Sequence, residues 1–354
     1  MTSTSIIVKV PGPADFHVHL RQGDLCELVT PHVLQGGFSL AYVMPNLAPP
    51  IKNSDQALAY KSTLEQIEPG VQYLMTLYLS LELTPHEIRK AKQAGITGVK
   101  SYPRGVTTNS ETGIESYTAY YPVFEEMQNQ DMVLNLHGEV PSDPSTNTCV
   151  MNAERHFLKH LETLHRDFPR LRIVLEHATT KEAVETVKRL GSTVACTITA
   201  HHLALTVDDW AGQSFHFCKP VAKYPEDREA LRAVIREGHP RFFLGSDSAP
   251  HTVNKKATAT PNQACAAGVY TAPILLPLVA HLLESFGALD RLAAFTSGNG
   301  RAFYKVQTTN LRAVTLRREP FRIAESLSLK DEQVAPFWAG KELNWSIGSD
   351  DDLT

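Results

Sequence analysis

The chain has 354 residues, with 34 Lys plus Arg against 38 Asp plus Glu and 42% hydrophobic residues. A net charge of −4 at this apolar content excludes a strongly basic nucleic-acid binder and a disordered chain, and leaves a globular protein able to bury a large core. Histidine is the outlier: fifteen of them raise the question of a metal.

At the N-terminus, Met1-Thr2-Ser3-Thr4-Ser5 carries no positive side chain, and the apolar stretch behind it ends at Pro11, so no secretory signal is expected. Short β-rich apolar runs then alternate with helical stretches. The predicted strands are 14–20, 39–46, 71–80, 97–102, 132–138, 172–178, 193–200 and 241–246. The helices between them are expected at 54–67, 85–94, 117–128, 152–167, 181–190 and 225–237. Ser54 before Asp55, Thr84 before Pro85, and Thr180 read as helix starts, while Gly95 and Gly191 stand where helices end. The most apolar window, Ala272 to Leu283, is broken by Pro273, Pro277 and His281, so it is no membrane span and reads as the last barrel helix, 272–285. A closing helix is expected near 289–303. The five cysteines are odd in number and contain no C-x-x-C pair, which fits reduced thiols in a cytoplasmic protein.

Length alone suggests about two domains, but eight strands mostly followed by helices are the count of a (β/α)8 TIM barrel, and that fold alone runs to 250 residues and more. No G-x-G-x-x-G follows the first strand, as a doubly wound dinucleotide fold would want. The expectation is one α/β barrel over 1–304, then a C-terminal extension over 305–354 that ends in a mobile acidic run, Ser349-Asp350-Asp351-Asp352.

His17 and His19 are two apart near the end of the first strand, so both imidazoles face one side and Val18 the other. Lys100 lies inside the fourth strand, His137 and His177 close the fifth and sixth, and Asp247 closes the eighth. In a barrel those strand ends form one mouth. Any one of these residues alone could be a satisfied core or capping residue; together they point to a binuclear metal centre. A charged Lys within an apolar strand costs several kcal/mol unless it is altered or paired. Deprotonated by burial, it can take up CO2 to give an anionic carbamate whose two oxygens bridge two cations. Four imidazoles, one carboxylate and that carbamate suit two divalent ions, zinc best, with a hydroxide between them as nucleophile.

Asp15-Phe16-His17-Val18-His19-Leu20-Arg21 resembles the D-x-H-x-H-x-R opening of the dihydroorotases within the amidohydrolase superfamily. The likeness continues through Met44-Pro45-Asn46, Lys100-Ser101-Tyr102-Pro103, Thr107-Thr108-Asn109-Ser110, Leu136-His137-Gly138-Glu139, Glu176-His177 and Gly245-Ser246-Asp247-Ser248-Ala249-Pro250-His251. It covers about residues 12–304 and is similar to the monofunctional, class II branch; Cys218-Lys219-Pro220-Val221-Ala222-Lys223 looks like its fungal members. The resemblance implies reversible cyclisation of N-carbamoyl-L-aspartate to L-dihydroorotate, a step of pyrimidine synthesis, by a cytoplasmic homodimer. It also implies two Zn2+ per subunit. His17, His19 and Asp247 would hold one and His137 and His177 the other, bridged by Lys100 as N6-carboxylysine and by a hydroxide. Arg21, Asn46 and His251 would bind the ring carboxylate, with the Ala222 backbone and Ala267 lining the pocket. Thr107 and Thr108 would belong to a flexible lid.

In ring opening the hydroxide is expected to attack the ring amide carbonyl while Asp247 carries the proton to the leaving nitrogen. Two rivals remain at this level. A cyclic amidase of the hydantoinase or dihydropyrimidinase type would not need the Arg21, Asn46 and His251 clamp, and an inactive scaffold homologue would have lost ligands. His201 and His202 could support the ligands from behind, face solvent or simply pack; Glu139 could orient His137 or cap a loop.

Overall fold

The computed structural model describes residues 6–257 and 264–348; the acidic run at 349–352 lies outside the described residues. Strand β1 (Ile7–Pro11) precedes eight parallel strands, β2 (Ala14–Val18), β3 (Leu40–Val43), β4 (Gln72–Tyr78), β5 (Gly98–Ser101), β6 (Val133–His137), β7 (Arg172–Glu176), β8 (Val194–Ile198) and β9 (Phe242–Leu244). These eight pair in sequence order, β2 to β9. The seam between β9 and β2 is drawn together beyond the strand ends, where Val18 bridges Ser248, the Asp247 amide donates to the His17 carbonyl at 2.8 Å and the His19 amide to the Ser248 carbonyl at 3.1 Å. The fold is the (β/α)8 barrel that the strand count predicts.

Each strand is buried on both faces, which is why the runs read as continuous apolar stretches rather than alternating ones. The outer faces pack under a ring of helices: α1 (Gly23–Val29), α2 (Pro31–Gln35), α3 (Ser54–Ile67), α4 (Pro85–Gln93), α5 (Tyr121–Asn129), α6 (Ala153–Asp167) and α7 (Lys181–Arg189). The further helices are α8 (Ala200–Ala204), α9 (Val207–Trp210), α10 (Pro225–Glu237), α11 (Val253–Lys256), α12 (Leu275–Ser285) and α13 (Asn299–Tyr304); α10 packs on α7 and α12 on α8, whereas Tyr304 of α13 reaches inside the barrel. Thr84 and Thr180 cap α4 and α7 as expected, accepting from the amides of Glu87 and Ala183. Asn53 rather than Ser54 caps α3, accepting from the Gln56 amide at 3.0 Å; Ser54 is instead tied to Glu87. The closing helix expected at 289–303 is broken into a short turn, a widened turn over Ala294–Gly298 and then α13.

Inside the barrel a second apolar cluster, including Phe16, Tyr42, Val174, Phe243 and Tyr304, fills the space below the strand ends. Tyr304 stacks on Phe16 with ring centroids 4.9 Å apart. Gly300 permits that approach, because a Cβ there would sit 2.2 Å from the Phe16 ring.

The extension beyond 304 is built of short strands: β10 (Ala313–Arg317), β11 (Phe321–Arg322), β12 (Leu327–Leu329), β13 (Glu332–Val334), β14 (Glu342–Leu343) and β15 (Ser346–Ile347). β1 pairs antiparallel with β10 along its whole length and β15 adds to β10's other edge. The N-terminal strand therefore sits with the C-terminal extension, outside the barrel sheet. Trp345 is wholly buried against the barrel helices and donates to Glu284 at 3.1 Å. Neither β1 nor these pieces is an unbroken buried apolar run, and β1 pairs with a partner at the other end of the chain.

Candidate metal centre at the barrel mouth

Parallel register fixes the height of each side chain. Lys100 lies level with Asn135, and His137 level with Glu176, so the lysine sits one layer beneath the imidazoles. Simple alternation does not deliver the others. Between Asp15 and Val18 the pairing of β2 with β3 slips by one residue, a bulge that re-aims the strand. Asp15 holds it, accepting from the His17 amide at 3.1 Å and from the Ser246 amide at 2.8 Å and hydroxyl at 2.5 Å. Burial pushes the Asp15 carboxyl up to about 6 against these hydrogen bonds. His177, Asp247 and Arg21 adopt φ of 42°, 46° and 60°. Left-handed backbone at three non-glycine residues is costly and clusters at functional sites.

The six expected ligands converge. His19 Nε2 lies 3.0 Å and His17 Nε2 3.5 Å from Asp247 Oδ1, and these three residues form one group of ligating atoms mutually within 4.8 Å. The His137 and His177 rings are 4.8 Å apart and the His17 and His177 rings 5.0 Å. Two imidazoles are oriented from behind: His17 Nδ1 meets Glu176 Oε2 at 2.8 Å and His137 Nε2 meets Glu139 Oε2 at 2.7 Å. This leaves the opposite nitrogen of each ring for another partner, the arrangement typical of metal-ligating histidines. Of the readings open for Glu139, orienting His137 is the one its position supports.

Lys100 Nζ and His177 Nδ1 are buried without a hydrogen-bond partner, which costs ~1–3 kcal/mol each if nothing else occupies the site. The Lys100 amine sits 4.5 Å above the Tyr102 ring. Burial pushes it down to about 8, against the pull of Glu176 and Asp247. Asp247 is held well below the usual carboxylate range, because His19, His177 and His17 outweigh its burial. Burial likewise drives His19 down to about 4 and His177 well below its ordinary value, so both rings are neutral donors at pH 7. The imidazoles of His19 and His177 and the ionised Asp247 carboxylate form a donor set that fits cations, and the orphaned Lys100 amine would join it once converted to an anionic carbamate.

Above the ligands, Arg21 donates through Nε to the Pro250 carbonyl at 2.8 Å and lies 3.2 Å from His251 Nε2, which is itself 3.0 Å from the Ala267 carbonyl. Which of these two contacts His251 uses depends on its tautomer. Asn46 Nδ2 donates to the Thr108 carbonyl at 3.0 Å, and Asn109 returns a bond to the Asn46 carbonyl at 2.9 Å. The loop carrying Thr107 and Thr108 thus lies across the pocket, and both threonines line it with Arg21, Asn46 and Ala267. Ala222 is buried behind, its carbonyl bound by Trp210 at 2.8 Å; the pocket wall on that side carries Lys219 instead. Sequence reasoning gave no role to Asp15 or Tyr102, although both stand in the motif runs around His17 and Lys100. His201 and His202 face neither solvent nor the six ligands' hydrogen bonds; they are buried at the start of α8.

Among the described residues no helix is long and apolar enough to cross a membrane. The amidohydrolase family model matches residues 8–307. The chain is 55% identical to the dihydroorotase of Mycosarcoma maydis, over 96% of this chain and 98% of the relative. It is 48% identical to the probable dihydroorotase of Schizosaccharomyces pombe over the same shares. A crystal structure of dihydroorotase in complex with 5-fluoroorotic acid from Saccharomyces cerevisiae superposes with a TM-score of 0.92 at 44% identity, covering 97% of this chain and 98% of that one.

Proposed function

The chain belongs to the amidohydrolase family, among its dihydroorotases, and from that premise we propose that it interconverts N-carbamoyl-L-aspartate and L-dihydroorotate in pyrimidine synthesis. The observation that carries this reading is the convergence of five ligand-type side chains, His17, His19, His137, His177 and Asp247, beneath the half-buried Arg21 in one polar pocket, with the Lys100 amine buried beside them. His17, His19 and Asp247 would hold one Zn2+ and His137 and His177 a second, with carboxylated Lys100 between them. When bound, the two cations would acidify the attacking water and polarise the substrate carbonyl.

The chain's own residues do the rest. Arg21 stays cationic, although burial pushes its guanidinium down to about 10, and its fork suits the ring carboxylate. Asn46 gives one Nδ2 hydrogen to the Thr108 carbonyl and keeps a second, which with His251 completes that clamp. Asp247, ionised and facing the ligands, takes a proton from the attacking water and passes it to the leaving ring nitrogen; in closure it takes the proton from the carbamoyl nitrogen. Thr107 and Thr108, lying over Asn46, exclude bulk water while this happens. The enzyme would work as a cytoplasmic homodimer on this small anion, with neither nucleic acid nor membrane as partner.

Following dihydroorotate by its amide absorbance, with and without a chelator, tests the assignment. Turnover abolished by chelation and restored by zinc is expected. Turnover of hydantoin but not of dihydroorotate would overturn it.

A further inference from the structure

Among the described residues, one more buried cluster of ligating atoms stands apart from the six at the mouth. His201 and His202 open α8, where Thr199 caps the His202 amide at 3.0 Å. Cys218 lies in the segment that leads to Lys219 and the pocket wall. All three side chains are at most 2% exposed. One ligating atom from each lies within 4.8 Å of the other two. Cys218 Sγ is 3.5 Å from His202 Nε2. Tetrahedral zinc with Zn–S of about 2.3 Å and Zn–N of about 2.0 Å would set that same edge at roughly 3.5 Å. The Pro220 carbonyl oxygen lies 3.0 Å from His202 Nε2 and 3.1 Å from Cys218 Sγ, which places a fourth donor on the same centre.

Hydrogen bonds to Pro220 would account for Cys218 and His202 alone. They do not account for His201, neither of whose ring nitrogens has a partner. Buried imidazole nitrogens left unpaired are expensive, and a cation beside His202 Nε2 would engage one nitrogen of His201. Burial pushes the Cys218 thiol up, and charges of both signs act on it, the Asp247 and Glu139 carboxylates raising it and the Lys256 and Lys223 ammonium groups lowering it; a cation would supply the countercharge that the thiolate needs.

We propose that His201, His202 and Cys218, with the Pro220 carbonyl, bind a zinc ion that ties α8 to the segment presenting Lys219 to the pocket. Binding replaces the Cys218 thiol proton by the cation and releases that proton to solvent. No donor at the barrel mouth contains sulfur, and this difference makes the site separately readable.

The full-length protein, stripped by chelator and reloaded with cobalt(II), should show a thiolate-to-cobalt charge-transfer band. Cys218→Ser should abolish the band and lower the zinc content by one equivalent per chain, His201→Gln should weaken the band, and Cys265→Ser should leave both unchanged. A wild-type protein without the band, a band that survives Cys218→Ser, or equal zinc in both proteins would overturn the proposal. The wild-type spectrum decides even if a variant fails to fold. None of these readouts uses dihydroorotate turnover, so the fate of the proposed activity is settled separately.

Discussion

The two ends of the space enclosed by the strands treat polar groups in opposite ways. At the end closed by α13, Tyr42 donates to Asn135 Oδ1 at 2.7 Å, and Asn135 Nδ2 lies 2.7 Å from the Tyr304 hydroxyl and 2.6 Å from Glu176 Oε1. These groups satisfy one another within an aromatic plug. At the mouth, Lys100 Nζ, His177 Nδ1 and Asn46 Oδ1 are buried and unpaired, and three residues hold left-handed backbone. Glu176 joins the two ends, with one oxygen on Asn135 and the other on His17 and Thr197. One end is built for stability, and the other leaves donors unpaired for use. Substitutions at the two ends should therefore separate stability from turnover.

The largest effect is expected from Asp247→Asn, which keeps the shape of the mouth but removes its proton carrier. Turnover should fall about 10⁴-fold in both directions, the upper end of what a positioned acid–base group supplies, while thermal stability changes little. Residual activity within tenfold of wild type would refute the assignment. At the closed end, Tyr304→Ala should do the reverse: about 3–5 kcal/mol less stability by denaturant titration, with kcat per folded molecule nearly unchanged. A kcat loss larger than the stability loss would mean that the plug positions the ligands.

Glu154 sharpens the contrast through pH. Its carboxylate accepts from the Thr179 amide at 2.9 Å behind the mouth, and burial pushes it up to about 7, against the pull of Lys223. The folded chain thus keeps a proton that the unfolded chain, with an ordinary value of 4.5, has lost. This group's contribution should therefore fall as pH rises from about 4.5 to about 7. Glu154→Gln should flatten that slope and be relatively more stable at pH 8, by up to about 3 kcal/mol. An unchanged slope between pH 5 and 8 would rule it out. The smallest effect is expected from Arg21→Ala, about 100-fold in KM for dihydroorotate with a lesser change in kcat, the scale of one charge-assisted hydrogen-bonded contact. An unchanged KM would remove Arg21 from the carboxylate clamp.

Much of this was legible in the residues. The apolar runs before Lys100, His137, His177 and Asp247 end where the strands end, because a parallel strand buried on both faces must stay apolar until it reaches the mouth. The eightfold alternation of such runs with capped helices named the barrel. β1 and the strands beyond 304 were not legible: β1 pairs with β10 some 300 residues away, and these pieces are only partly buried, so they lack the continuous apolar runs that marked the barrel strands.

The sequence by itself determined which residue types would stand at the strand ends, and therefore the donor chemistry, because composition along a strand is local. It even set the histidine excess in view, although most of the fifteen lie away from the mouth. Only the tertiary structure decided how the donors meet. The bulge at Asp15–Val18, pinned by Ser246 from the far end of the sheet, re-aims His17 and His19. Left-handed backbone at His177 and Asp247, and the Glu176 carboxylate reaching His17 from β7, set the remaining directions. Each of these depends on atoms brought together across the closed barrel, and no window of sequence contains them.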